Sequence, residues 1–366
     1  MTLPEQDITL GELKFRVIEG RLGKVVIEGN QHFDAENIRR SLPAVREGAT
    51  PNSRNIARNL QVAAENPVKQ TTVLLRSGAA EGEMDAVVNV TDEKPWKASV
   101  TLDNTGSPQT GKYRLGFGYL HANVFDRDHM LTAQYITSPG YWDEVKIFGL
   151  GYRVPLYSLG ASVDVVAGYS DVNSGTVQNL FTVSGSGTIG ALRYNQHLPR
   201  LAAYEHKIVY GLDYRAYQNQ VVTQGSSLVP DITVHPISVY YAGIYRAGSS
   251  ELNFYIYAAQ NIPGGNDGRD SDFKEIKPGF VNPVRVDAKA AYRVYRYQAV
   301  YSRLFLREWQ FRATLNGQHS QDALIPGEQF GIGGAESVRG LTVLQTTAAD
   351  KPAQDEKKKD KPAVCR

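Results

Sequence analysis

Cysteine is almost absent from this chain of 366 residues: the single one, Cys365, is next to the C-terminal residue. With no second thiol there can be no intrachain disulfide and no zinc site of several thiolates. Long apolar runs are missing too. No stretch approaches the roughly 18–20 uninterrupted apolar residues that a membrane helix needs. That excludes helical spans only, because a transmembrane barrel hides its membrane signal in alternation. Nor is there an excess of one charge: 40 basic residues stand against 38 acidic ones, a net charge of +2. Such a balance argues against a dedicated nucleic-acid binder. The first residues, "MTLPEQDITL", lack a basic segment followed by an apolar one and do not read as a signal peptide. No catalytic constellation stands out, so no enzyme activity, cofactor or metal is expected. His121, His129, His197, His206 and His235 show no HExxH or HxH spacing and read as exposed residues of loops and strand ends.

What the chain does have is tyrosine and glycine: 21 Tyr against 12 Phe and 3 Trp, with 34 Gly and only 3 Met. This is a β-rich composition with many rings suited to a polar boundary. The section up to about residue 95 is mixed. "LKFRVIEG" and "GKVVIEGN" alternate like strands, and "FDAENIRRSL" predicts a helix capped by Asp34, with Ile38 and Leu42 on its buried face. Pro51 opens a second helix carrying Ile56, Leu60 and Ala63 on one side, and Pro67 closes it. The strands "KQTTVLLRS" and "EMDAVVNVTDE" follow, which completes a β-α-α-β-β module.

From Trp96 the helical periodicity gives way to strand, turn, strand. In "KIVYGLDYRAY", Ile208, Tyr210, Leu212 and Tyr214 share one face, and Lys207, Gly211, Asp213 and Arg215 share the other. "EWQFRATLNGQ", "YRLGFGYL" and "ELNFYIYAAQ" repeat the pattern. Roughly eleven such runs, each about ten residues long, lie between Trp96 and Gln318. Connections alternate between short, as in "SPGYWD", and long, as in "QNIPGGNDGRDSDFKEIKPGFVNP". A soluble β-sandwich binding protein also alternates, but its strands are mostly of about five or six residues. The longer strands, a polar face with glycines and both charges, and aromatics toward strand ends fit a transmembrane barrel better.

Three further stretches carry little chemistry of their own. "NDGRDSD" is rich in oxygen ligands but lacks EF-hand spacing and reads as a solvated loop. "DEKKKDK" reads as a charged, disordered tail. "GEQFGIGGAESVRG" has glycines but no lysine after them and no helix, so it is a poor phosphate loop; it ends on one isolated cation, Arg339.

A β-α-α-β-β module, an alternating sheet opened by "DNTGSPQTGKYRLGFGYLHANVFDRDHML", and a loop ending in Val-Arg-Gly resemble the outer-membrane transporters of two-partner secretion, the hemolysin secretion/activation family. The resemblance runs from about residue 8 to 343, nearly the whole chain. It implies an all-β transmembrane barrel of about 16 strands behind small α+β polypeptide-transport-associated (POTRA) domains. Residues 1–22 then look like a remnant of a first POTRA domain and 23–95 like the second. Residues 96–343 look like a partial barrel with a lumenal loop at 319–343, and 344–366 like a tail foreign to the family.

The implied function is translocation of a large secreted exoprotein of hemolysin or adhesin type, with an assembly factor that inserts other barrels as the alternative. The implied partners are an exoprotein with an N-terminal secretion domain and outer-membrane lipid, with no nucleotide and no nucleic acid, for a transporter that is monomeric when complete. Capture is expected by strand addition to the edge strand from Lys69 to Ser77, through Thr71, Val73 and Leu75. In the lumen, Val338, Arg339 and Gly340 would form the loop tip, with the arginine paired to a carboxylate on the barrel wall. Leu341 stands where the family carries an aromatic. "LQTTAADKPAQDEKKKDKPAVCR" does not alternate, so a fragment that cannot close its barrel is expected, without the acidic partner of Arg339 and non-functional as a lone chain.

Overall fold

A computed structural model describes residues 19–106, 110–171, 176–177, 181–182, 186–218, 222–223, 226–227, 230–280, 282–305, 308–332 and 344–346. The first unit is β1 (Arg21–Glu28), α1 (Ala35–Ser41), α2 (Ser53–Ala63), β2 (Lys69–Ser77) and β3 (Glu83–Asp92), in the order expected from the sequence. Both helices start on side-chain caps: Asp34 accepts from the Asn37 amide at 2.6 Å, and Asn52 accepts from the Arg54 and Asn55 amides. Their apolar faces, Ile38, Leu42 and Ile56, pack on Leu22, Ala86, Val88 and Val90 of a three-stranded sheet. Its order is β1-β3-β2, with β1 parallel and β2 antiparallel to the central strand, so β2 is an edge. Gly29, at φ +84°, ends β1 where a Cβ would collide with the Val90 carbonyl.

The second unit is a single antiparallel sheet of 12 strands. Its strands are β4 (Trp96–Asp103), β5 (Arg114–Val124), β6 (His129–Thr137), β7 (Ile147–Leu156), β8 (Ala161–Ser170), β9 (Ser186–His197) and β10 (Tyr204–Gln218), then β11 (Ile232–Val234), β12 (Pro236–Ala247), β13 (Ser250–Asn261), β14 (Arg293–Phe305) and β15 (Trp309–His319). All but the short β11, which pairs with the end of β10, lie side by side in chain order. The sheet is open, with β4 at one edge and β15 at the other. Beyond it, β16 (Phe330–Ile332) pairs with β17 (Leu344–Thr346) as an antiparallel hairpin.

Alternation sorts the two faces as expected. Tyr210, Leu212 and Tyr214 are exposed on one, with Phe117, Phe148, Val165, Ile256 and Phe311, while Asp213 between them is buried on the other. The tight turns, Phe125–Asp128, Tyr157–Gly160 and Gly248–Ser249, all lie on the rim that meets the module. The expected placement of "SPGYWD" among the rim's short turns is corrected: Ser138–Asp143 joins β6 to β7 on the opposite rim, with the long connections. There the β13–β14 connection folds inward. Phe273, Ala288, Ala290 and Tyr292 make a core with Val234, Leu324 and Ile325. The "NDGRDSD" stretch is solvated as expected, with Asn266, Asp267, Arg269, Asp270 and Ser271 exposed, but it is also anchored: a short helix, α3 (Asp270–Lys274), buries the next residue, Phe273, and Lys277 neutralises Asp267 at 2.7 Å and Asp272 at 3.0 Å.

Candidate functional site

The module is fixed to the sheet by two buried contacts of opposite sign. Lys69, the first residue of β2, sends its ammonium into the rim and meets Asp128 at 2.6 Å, with 0% and 2% of the two side chains exposed. The same carboxylate accepts from the Tyr157 hydroxyl at 2.6 Å, and the Lys69 ammonium also donates to Asn37 at 2.9 Å and stands over the Phe33 ring. Burial pulls the Lys69 ammonium below the ordinary lysine range, against the pull of Asp128. Burial and the Asp128 charge push the Tyr157 phenol well up, so it stays a donor. Around the pair, Asn37 donates to Asn123 at 3.0 Å, Asn66 to the Ala122 carbonyl at 2.9 Å and Asn59 to the Tyr157 carbonyl at 2.7 Å. Gly160, at φ +64°, leaves room for the Arg58 side chain, which a Cβ would overlap.

The second contact inverts the charges. Glu65, just past the end of α2, reaches Arg153 at 3.4 Å, His197 at 3.1 Å and Lys207 at 3.4 Å, and accepts from Ser162 at 3.0 Å. Burial alone would raise this carboxyl, but the His197 hydrogen bond and the charges of Arg153 and Lys207 outweigh it and hold the group at about 2. His197 is thus a partnered residue and not an exposed one. The same correction applies to His129, bonded to Tyr152 at 2.8 Å, and to His206, bonded to Tyr241 at 2.9 Å.

From Glu65 a row of alternating charges crosses the inward face. Arg153 is doubly bonded to Asp164, at 2.5 and 2.8 Å; Asp164 stands opposite Arg193 in the ladder; Arg193 bonds Asp213. Asp213 bonds Arg215 at 2.5 Å, and Arg215 bonds Glu328 at 2.7 Å. Glu328 also takes Arg296 at 2.9 Å and the Tyr217 hydroxyl at 3.0 Å, and 2% of its side chain is exposed. Period-two alternation makes this possible, because it sends every second residue of β7 to β10 to the same side. A bidentate arginine–carboxylate pair is the arrangement that best offsets desolvation in a confined space.

Of the residues singled out from sequence, Val338, Arg339 and Gly340 lie outside the described residues. The hairpin of β16 and β17 brackets them. A different set of inward ion pairs lies at the base of this loop, where Glu328 supplies a carboxylate to the wall arginines Arg215 and Arg296. On β2, Val73 packs against the module core, Leu75 is exposed, and Thr71 is half-buried. Sequence reasoning missed Lys69, Asp128, Glu65 and Glu328. The only clue to the last was a carboxylate in a segment of small and apolar residues, two ahead of Phe330.

A family model described as "Haemolysin secretion/activation protein ShlB/FhaC/HecB" matches residues 82–353. The heme/hemopexin transporter protein HuxB of Haemophilus influenzae is 22% identical over 349 residues, covering 92% of this chain and 58% of its own. The outer membrane transporter CdiB of Dickeya dadantii is 34% identical over 125 residues, 34% of this chain and 21% of that protein. Among solved structures, CdiB from Escherichia coli superposes with a TM-score of 0.72 at 22% identity, covering 93% of this chain and 61% of that one. CdiB from Acinetobacter baumannii gives 0.62 at 16% identity, covering 94% and 61%. The chain thus spans 58% of the length of HuxB and 61% of either solved CdiB chain. An antiparallel sheet with an apolar outer face, a β-α-α-β-β module on its rim, and a family match over most of the chain lead to one conclusion: the chain belongs to the ShlB/FhaC/HecB family of outer-membrane two-partner secretion transporters, which are not enzymes.

Proposed function

We propose that these residues form the last periplasmic module and part of the conduit wall of a transporter that exports a large partner exoprotein across the outer membrane. The observation that carries this reading is the position of β2. It is an edge of the module sheet, and its first residue, Lys69, is locked into the barrel rim. A segment adding to that edge would pair its main chain with β2. Its end nearest Lys69 would arrive at the lumen mouth without leaving the strand. Thr71, Val73 and Leu75 lie along this edge strand; since Val73 belongs to the module core, side-chain selection falls to Leu75 and its exposed neighbour Leu74.

Inside, the carboxylate of Glu328 fastens the base of the loop to the wall through Arg215 and Arg296. On this reading Val338, Arg339 and Gly340, outside the described residues, are assigned to the tip of that lumenal loop. Unfolded chain passes outward with no nucleotide, and folding outside supplies the bias.

The experiment is site-specific photo-crosslinking in cells that export the cognate exoprotein. A benzophenone at Leu75 is expected to capture the exoprotein, and one at Val73 is not. Equal capture at Arg39, on α1, would show non-specific proximity and contradict the edge-strand reading.

A further inference from the structure

The turn between β5 and β6 is strained. Phe125, Asp126 and Asp128 have φ of 59, 54 and 58°, the left-handed region, where a Cβ crowds the neighbouring carbonyl oxygen. Such a turn persists only where its surroundings over-determine it. Here the polar members are held from several sides. The Asp126 carbonyl accepts from Asn37 at 3.0 Å and from Arg40 at 2.9 Å, and its carboxylate accepts from Asn123 at 2.8 Å. The Asp128 amide donates to Asn123 at 3.0 Å, and its carboxylate is the partner of Lys69. None of these bonds needs Phe125. Yet the turn throws its ring outward, 78% exposed, the most exposed large apolar residue among those described.

Beside the ring is a cavity of about 540 Å3. Tyr119, His121 and Leu131 line it from the outer face of the sheet, where Leu131 stands opposite His121. His32 lines it from the module, and Phe125 and Asp126 from the turn. The cavity is therefore an open one, continuous with the lipid-facing wall, with the exposed His32 as its contribution from the module. Other large apolar residues are exposed at the same rim: Trp96, opposite His121, and Leu159, Leu201 and Trp309 at the other turns. Aromatic side chains in such positions mark the boundary between hydrocarbon and headgroups.

We propose that this cavity seats one glycerophospholipid of the leaflet on the module's side, with a phosphoethanolamine headgroup. The acyl chains lie along Tyr119, Leu131 and Phe125. The phosphate meets the imidazoles of His32 and His121, and the ammonium meets Asp126. Lipid and strained turn together set the height of the module against the membrane. The proposal rests on the outer-membrane placement of the sheet but not on any cargo.

Two readings test it on the protein reconstituted in vesicles of phosphatidylethanolamine and phosphatidylglycerol, in a Cys365→Ser background. A nitroxide on Phe125→Cys should collide with oxygen and be shielded from a water-soluble nickel chelate, as one on Leu212→Cys is, whereas one on Arg39→Cys stays aqueous. Native mass spectrometry should show one retained phosphatidylethanolamine, and the His32→Ala/His121→Ala double variant should retain it about tenfold less, as expected for lost charge-assisted contacts. An aqueous label at 125 with a lipid-exposed one at 212 overturns the proposal and leaves the barrel reading standing. So does the absence of retained phospholipid, or equal retention by the double variant. Aqueous labels at both positions would remove the membrane placement itself.

Discussion

At the scale of the residue, the decisive groups are buried ions whose partners lie on another unit. Lys69 belongs to the module and Asp128 to the sheet, so the pair reports docking directly. Removing one member of a buried pair strands the other, at a cost of about 3–5 kcal/mol. Lys69→Met is therefore expected to lower unfolding stability by that order, and Lys69→Met with Asp128→Asn to recover much of the loss. Urea unfolding of the four members of the cycle measures the coupling. Glu65 gives a pH dependence. Its carboxyl is depressed to about 2 in the folded protein from an ordinary 4.5, so its contribution is complete above about pH 4.5 and lost as pH falls toward 2. The difference corresponds to about 3 kcal/mol. Glu65→Gln should be less stable at neutral pH and should lose this part of the acid sensitivity, as read by unfolding at several pH values. At the other end of the row, Glu328→Gln replaces the carboxylate shared by Arg215 and Arg296 with a neutral acceptor, leaving Arg215 its Asp213 partner and Arg296 its Gln318 partner. Amide exchange over residues 326–332 is then expected to accelerate about 100-fold, with exchange in the module unchanged.

At the scale of the element, the sequence showed what depends on period and hid what depends on encounter. Asp34, Ile38 and Leu42 announced α1 because capping and helical spacing are local. Tyr210, Leu212 and Tyr214 opposite Asp213 and Arg215 announced the two faces of β10 because a strand alternates wherever it lies. No such rule brings Lys69 to Asp128 or Glu65 to His197, since either charge would serve equally well in a solvated turn. The connection Ser138–Asp143 was misplaced for a related reason: length does not tell which rim a turn occupies. The edge strand β2 shows both limits. Its strand character was legible, but only the order β1-β3-β2 and the packing of Val73 separate core from rim of that strand. Val73→Ala is accordingly expected to cost about 1–2 kcal/mol in unfolding stability, while Leu75→Ala changes stability by less than about 0.5 kcal/mol.

At the scale of the whole molecule, a charged row runs along the inward face from the module to the loop base, and an apolar surface covers the outward face. Together they describe a wall suited to stand between water and lipid, in keeping with relatives that are named outer membrane transporters. The most direct measurement is cysteine scanning along β10, from Tyr210 to Arg215, in membranes and in the Cys365→Ser background. Each variant is reacted in turn with a water-soluble and a membrane-partitioning maleimide. Positions 210, 212 and 214 should react with the membrane-partitioning reagent alone, and positions 211, 213 and 215 should be shielded from it. Uniform reaction with the water-soluble reagent at all six, or loss of the two-residue period, would contradict the account.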